Sequence, residues 1–322
     1  MKRYIFILLA FILIFSIFIF SKNSEKFEIS YYVWENSYKN EILNEKLYIK
    51  VLDIDYSNKL EIIKTNFIKN PPKDFIPTIY ITNKTMQNVD FKRLSKDISK
   101  ILNSFKFNFN ELQIDCDWSD SSKNNYFLFL KELKDELKVT ISTTLRLHQI
   151  KYYKQTGIPP ADYGVLMYYN MSELGNFNTK NYILDNNIAK KYLFNFENYP
   201  LKLKLALPLY SQAVQFRNKR AINLFEGIKK EDFNENFKDL GENRFQVLKS
   251  HYFKGQYIYK DDILRFDYVT SNDLKIALSD FLKHSKNYFN EIIFYTYKYK
   301  NSYNLPKLLN IKGELWFFEY FF

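Results

Sequence analysis

Eight short strand-like segments, most of them separated by helical stretches, constrain this chain more than any other feature. Glu28–Trp34, Lys46–Asp55, Phe75–Thr82, Glu111–Trp118, Lys138–His148, Tyr163–Asn170, Leu203–Tyr210 and Glu291–Tyr297 are rich in β-branched and aromatic residues, several in two-residue alternation. Phe91–Phe105 carries Leu94, Ile98, Ile101 and Leu102 on one helical face, and Tyr126–Leu137 carries Phe127, Leu130, Leu133 and Leu137 likewise. A short pattern after the first strand, a stretch from about Ile183 to Phe196, and Asn272–Tyr288 also read as helices. Eight strands alternating with helices predict an α/β fold, a (β/α)8 TIM barrel. A doubly wound open sheet is the alternative, but its Gly-rich phosphate loop is missing.

Roughly Ser211 to Thr270 forms an insertion between strands seven and eight, in which Phe245–Tyr252 and Gln256–Tyr259 are expected to pair as a hairpin about Gly255. With 322 residues and 46% hydrophobic content, the chain can build one large core. Met1-Lys2-Arg3 precedes an apolar run from Tyr4 to Phe20 broken only by Ser16, the pattern of an export signal. Residues 1–22 are therefore expected to be a signal anchor or signal peptide, and 23–322 the barrel domain. No Ala-x-Ala-like cleavage site follows the run, which favours an uncleaved membrane anchor with the domain outside the cytoplasm. A cleaved signal and a secreted or periplasmic protein is the other reading.

The net charge of +11 would suit an anionic partner, yet Lys+Arg 47 are scattered among Asp+Glu 36 and form no basic run. No nucleic-acid motif is present, so no nucleic-acid partner is expected. The single cysteine, Cys116, excludes an intrachain disulfide and falls on the apolar face of its strand. No Walker A loop, His-Glu-x-x-His, paired Cys ligands or Gly-x-Ser-x-Gly elbow occurs. No cofactor is implied.

The fourth strand carries the strongest chemical signal. Leu112, Ile114 and Cys116 alternate with Gln113, Asp115 and Asp117, and Trp118 follows, just before a helix. Acidic side chains at the C-terminal end of a barrel strand are where such folds place catalysis, although a helix-capping turn would look similar. The ends of the other strands would add Trp34, Asp53, Asp55, Arg146, His148, Tyr168, Tyr169, Asn170, Tyr210 and Gln212. Rings that stack on pyranose faces, with carboxylates and amides that bond hydroxyls, suit a carbohydrate. Crowded carboxylates also suit glycosidic cleavage, since one can be kept protonated while the other stays ionised. Asp115 and Asp117 are the candidate catalytic residues; Trp34, Trp118, Arg146, His148, Tyr169, Asn170, Tyr210 and Gln212 are the candidate substrate-binding set. Arg146 has a second reading as the counter-ion of Asp115 or Asp117, His148 as a structural histidine, and Tyr168 or Tyr169 as ordinary packing. A metal held by Asp115, Asp117 and His148 is disfavoured by the adjacent arginine, and none is expected.

Five segments in order resemble a bacterial family numbered 3142 among the domains of unknown function: Gln113–Trp118, Ser142–Gln149, Gly157–Pro160, Leu166–Met171 and Ala206–Leu209. That resemblance implies a fold more than a reaction. Asp115-Cys116-Asp117-Trp118-Ser119, Met167-Tyr168-Tyr169-Asn170 and Leu205-Ala206-Leu207-Pro208-Leu209-Tyr210 are also similar to strands four, six and seven of the family-18 glycoside hydrolases, the chitinase-like barrels. By that likeness Asp117 orients an N-acetyl group or assists the acid, while Tyr169 and Asn170 hold substrate near the anomeric carbon. Two departures matter. Ser119 stands where that family has its proton-donating Glu, and Asn170 where it has Asp. Either Asp117 or another carboxylate gives the proton, or the barrel binds glycans without cleaving them.

Overall fold

The structure, a computed structural model, describes residues 27–309 apart from Asn40, Leu43 and Lys106. The Met1–Phe20 run lies outside the described residues, among which no helix is long and apolar enough to cross a membrane. Eight parallel strands run β1 (Glu28–Val33), β2 (Lys46–Tyr56), β3 (Ile76–Ile81), β4 (Glu111–Asp115), β5 (Thr140–Arg146), β6 (Tyr163–Met167), β7 (Leu203–Pro208) and β8 (Tyr288–Tyr295). Each pairs with its sequence neighbour, and β1 pairs with both β2 and β8, placing Ser30 opposite Lys46 and Glu28 opposite Glu291. The sheet is closed: this is a (β/α)8 barrel. One antiparallel strand, Leu60–Lys64, extends β2 outward.

The long crossover helices form where the apolar spacing is strongest. Phe91–Ser104 starts on an Asp90 cap that accepts from the Arg93 amide, and Ser271–His284 starts on a Thr270–Asp273 capping box. Two expected helices differ. After β1 the chain forms a two-residue strand, Ser37–Tyr38, paired with Asn66–Phe67, because Tyr38 buries its ring beside Phe67 at 5.8 Å. The Ile183–Phe196 stretch is helical only over Asn186–Lys190; Asn195 then takes φ +70°, which α-helical geometry does not allow. Strand five ends at Arg146 rather than His148, since the Gln149 side chain accepts from the Arg146 amide at 2.8 Å and opens the helix Leu147–Lys151. Strand eight begins and ends earlier than the alternation suggested.

Between β7 and β8 the insertion folds into its own antiparallel sheet, ordered Arg220–Glu226, Gln212–Arg217, Ile263–Asp267, Arg244–Val247, Phe237–Asp239. Phe233, Phe245, Phe253 and Phe266 pack a separate small core beneath it. The hairpin about Gly255 exists but is shorter than expected, His251–Phe253 against Gln256–Ile258, because Phe245 is paired within the larger sheet.

Alternation along each barrel strand divides two environments. Leu47, Ile49, Leu112, Ile114, Cys116 and Ile141 face the helices in the main apolar core. Tyr32, Tyr48, Tyr163, Val165, Met167, Tyr169 and Ile293 fill the inside. At the floor, Lys204 donates to the Tyr48 and Tyr163 hydroxyls at 2.8 and 2.7 Å and pairs with Glu291 at 3.0 Å. Ser30 and Lys46 also donate to Glu291, and Tyr163 to Glu111. Burial alone would raise the Glu291 carboxyl, but Lys204, Ser30 and Lys46 together hold it below its ordinary value.

Lys204→Met is expected to lower the unfolding free energy by about 3–5 kcal/mol, because it leaves Glu291 buried with one cation fewer. A carboxyl depressed in the folded state stabilises fully above its unfolded value of about 4.3, and that contribution is lost as pH falls through the lower folded value. The gap between wild type and variant should therefore narrow in acid. Urea midpoints measured at neutral and acidic pH check both points.

Candidate functional site

The C-terminal ends of the strands open on one face, and two adjoining cavities lie there. The larger, about 580 Å³, is bounded by the ends of β1, β7 and β8 and by the insertion, with Trp34, Glu35, Tyr210, Gln212, Glu226 and Tyr295 in its lining. The smaller, about 390 Å³, sits over the ends of β4 to β6, lined by Asp117, Arg146, His148, Tyr169 and Tyr192 and bordered by Trp118. Asn170 lines both. Both volumes fall within the range of small-molecule sites.

Asn170 can occupy that junction because its residue type tolerates the left-handed conformation, here φ +55°. Its amide donates to the Ile183 carbonyl at 2.8 Å, and the Tyr210 hydroxyl donates to its side-chain oxygen at 2.5 Å. Tyr295, the last residue of β8, anchors an aromatic floor: Tyr169 stacks on it at 5.6 Å, Tyr210 meets it edge-on at 5.6 Å, and Trp34 at 6.0 Å. Rings in such offset and edge-on arrangements hold one another rigidly while leaving apolar faces toward the cavity.

Strand four divides its carboxylates between two settings. Asp115 points inward, is buried, accepts from the Thr144 hydroxyl at 2.6 Å and lines neither cavity. Burial first, and the Asp117 charge second, push its carboxyl up to about 6 against the opposing pull of Thr144 and Arg146. Asp117 follows the strand and is half-exposed. Its two oxygens accept from Nε and Nη2 of Arg146, both at 2.7 Å. Arg146 also donates to the Tyr169 carbonyl at 3.4 Å. The counter-ion reading of Arg146 therefore holds, with Asp117 as partner, and the bidentate pair forms one wall of the smaller cavity.

The other expected residues divide as follows. Trp118 is buried, stacked on Tyr126 at 5.3 Å, and donates to the Thr156 carbonyl at 3.4 Å. His148 lies on the helix after β5, exposed, its imidazole held below the ordinary value by desolvation and by Arg146. Tyr169 faces inward, whereas Tyr168 is packed in the outer core. Asp53 is paired with Lys50 at 3.0 Å and Asp55 accepts from Thr82 at 2.8 Å, so neither reaches the cavities. Cys116 is buried in the outer core, where burial and the flanking aspartates push its thiol up. No metal-holding group of three or more His, Cys, Asp or Glu occurs among the described residues.

Gln212 is buried and donates to Asp267 at 3.2 Å, while Arg265, fully buried, donates to both Asp267 oxygens and to the carbonyls of Leu174 and Asn176. This chain fastens the loop after β6 to the insertion and holds the wall that carries Gln212. Ser119 turns away from the mouth. Its hydroxyl is bonded with Asn83 at 3.0 Å and Ser121 at 2.9 Å, and it lines neither cavity.

Sequence reasoning did not select Tyr295, Glu35 or Glu226. Tyr295 was hidden by placing the end of strand eight at Tyr297. Glu35 lies one residue beyond the expected strand end at Trp34. Glu226 had no signal at all, because only the insertion's non-local pairing brings it to the mouth.

No family model and no curated protein matches the chain, so its likeness to the family of unknown function rests on the five segments quoted above. Among solved structures, the Bacillus cereus spore cortex-lytic enzyme SleL superposes with a TM-score of 0.51 at 13% identity, covering 88% of this chain and 74% of that one. A chitinase from Chromobacterium violaceum superposes with a TM-score of 0.52 at 10% identity, covering 90% of this chain and 99% of that one. At these identities the likeness is one of fold: the chain shares the barrel architecture of both.

Asp117→Asn removes the like charge beside Asp115 and frees Arg146 to act on it, so both changes favour the Asp115 carboxylate. Its titration midpoint should fall from about 6 by on the order of one unit or more. A ¹³C-detected titration of the Asp115 carboxyl carbon reads this directly; an unchanged or raised midpoint would contradict the arrangement.

Proposed function

We propose that this protein is a glycoside-hydrolase-like barrel that takes a glycan along its mouth. The observation that carries this reading is the lining of the two adjoining cavities, which combines the rings of Trp34, Tyr210 and Tyr295 with carboxylates, amides and a guanidinium. Pyranose rings offer one apolar face for stacking and a rim of hydroxyls for such groups to bond. Asp117 and Arg146 meet hydroxyls in the smaller cavity, and Asp115 tunes them from beneath. The two barrels that share this architecture, a spore cortex-lytic enzyme and a chitinase, are in keeping with a polysaccharide ligand. The basic-then-apolar N-terminus supports a membrane-anchored protein whose barrel works outside the cytoplasm.

One observation favours a second reading, a barrel that holds glycan or an envelope component without cleaving it. By its motif likeness to the chitinase-like barrels Ser119 stands at the position of their acid, and here it is bonded away from the mouth. Released reducing ends separate the two readings.

Trp34→Ala is expected to weaken glycan binding about tenfold, since an aromatic face contributes roughly 1.5 kcal/mol. Glycan-array binding followed by calorimetry on the best ligand tests this. Equal affinity of variant and wild type would remove the larger cavity from the binding site.

A further inference from the structure

Resting on the reading of the mouth as a glycan site, we propose that the larger cavity holds the working carboxylates, Glu226 as proton donor and Glu35 as the base that activates water. The substrate class is a glycan cleaved at a glycosidic bond lying over Tyr295.

The three acid positions suggested by strand four are all committed elsewhere. Ser119 is bonded into the turn with Asn83 and Ser121, Asp117 spends both oxygens on Arg146, and Asp115 lies beneath the cavities. Among the described residues Glu35 and Glu226 are the carboxylates in the lining of the larger cavity, and their side chains form no ion pair or hydrogen bond there. A free carboxylate in a concave aromatic site is available to a substrate in a way that a paired one is not.

The backbone holds both in place. Glu226 ends the strand Arg220–Glu226, pairs across the sheet with Gln212, and precedes Gly227. Gly227 has φ +67° and its amide bonds the Ser211 carbonyl at 2.8 Å; a Cβ there would sit 3.0 Å from the Tyr299 hydroxyl. The turn is thus fixed, and the Glu226 charge, like that of Asp115, reaches Tyr295 at the β8 end. Glu35 directly follows Trp34. Its carbonyl accepts from the Thr65 hydroxyl at 3.4 Å, and the next carbonyl, that of Asn36, accepts from the Asn66 amide at 3.0 Å. The two carboxylates therefore come from different parts of the fold, one from the end of β1 and one from the insertion.

In the reaction, Glu226 gives its proton to the glycosidic oxygen, and the bond from that oxygen to the anomeric carbon breaks with its electron pair staying on oxygen. A water oxygen bonds the anomeric carbon, and the water's proton passes to Glu35. One water is consumed, and proton exchange with solvent resets both carboxyls.

The test uses the full chain, with β-linked hexose and N-acetylhexosamine oligosaccharides as probes, calorimetry for affinity and reducing-end release for turnover. Glu226→Gln and Glu35→Gln are each expected to lower turnover at least about 100-fold with affinity within about threefold of wild type. Residual turnover should lose its alkaline limb in Glu226→Gln and its acidic limb in Glu35→Gln, which a merely structural role would not produce. Turnover that survives Glu226→Gln, or wild-type binding with no cleavage, overturns this assignment and leaves the glycan reading standing. Failure of the wild type both to bind and to cleave overturns the glycan reading and this assignment with it.

Discussion

The ion pair between Lys204 and Glu291 closes the floor of the barrel, and the rest of the interior is arranged above it. A closed eight-stranded sheet turns alternate side chains toward a space without bulk water, so a charged group there is costly unless it finds a partner inside. Most barrels avoid the problem with branched aliphatic layers. This one places Tyr48, Tyr163, Lys204, Glu111 and Glu291 in the lowest layer and satisfies them against one another. Strand periodicity then carries the consequence upward. Glu291, Ile293 and Tyr295 alternate along β8, so the strand that supplies the floor anion also supplies the ring at the centre of the mouth. Glu111, Gln113 and Asp115 do the same along β4. Shifting either register by one residue would put charge among the helices and leave the mouth without its rings.

Above that frame, the mouth is completed by parts that are not barrel strands. Arg265 fastens the loop after β6 to the insertion through the carbonyls of Leu174 and Asn176, and Arg244 adds bonds to those of Phe177 and Thr179. The loop that carries Asn170 and Tyr182 and the sheet that carries Gln212 and Glu226 consequently form one wall. A fully buried guanidinium with no anion would be costly, and Asp267 supplies the anion while also orienting Gln212. The insertion is in this sense part of the site rather than an ornament on it.

These two kinds of feature were unequally legible in the sequence. The barrel could be read because each strand declares itself locally, by alternation and β-branching, and the count of eight leaves few architectures open. Leu112, Ile114 and Cys116 against Gln113, Asp115 and Asp117 gave the correct facing of β4 without any tertiary information. That Arg146 would meet Asp115 or Asp117 followed from two adjacent strand ends, but which of the two it meets did not. Helix extent was less legible, since nothing local in Ile183–Phe196 reports that Asn195 turns left-handed. The insertion's pairing was not legible at all. Gln212 meets Asp267 across 55 residues, and no periodicity encodes which strand lies beside which. Glu226 belongs to that illegible part, whereas Asp115 and Asp117 belong to the legible one.

That difference bears on how a shifted carboxyl is to be interpreted. Asp115 has a carboxyl raised to about 6, the kind of value that marks catalytic acids. Its cause, however, is burial beneath the mouth, and burial is also what keeps a substrate oxygen away. A proton donor must first lie within hydrogen-bond reach of the atom it protonates, and only then does its affinity for the proton matter. Glu226 and Glu35 line the larger cavity, where a glycan can reach them. In Asp115 the shift is built into the fold, by burial and by Asp117 beside it, and it belongs to the interior beneath the mouth rather than to a group that meets substrate.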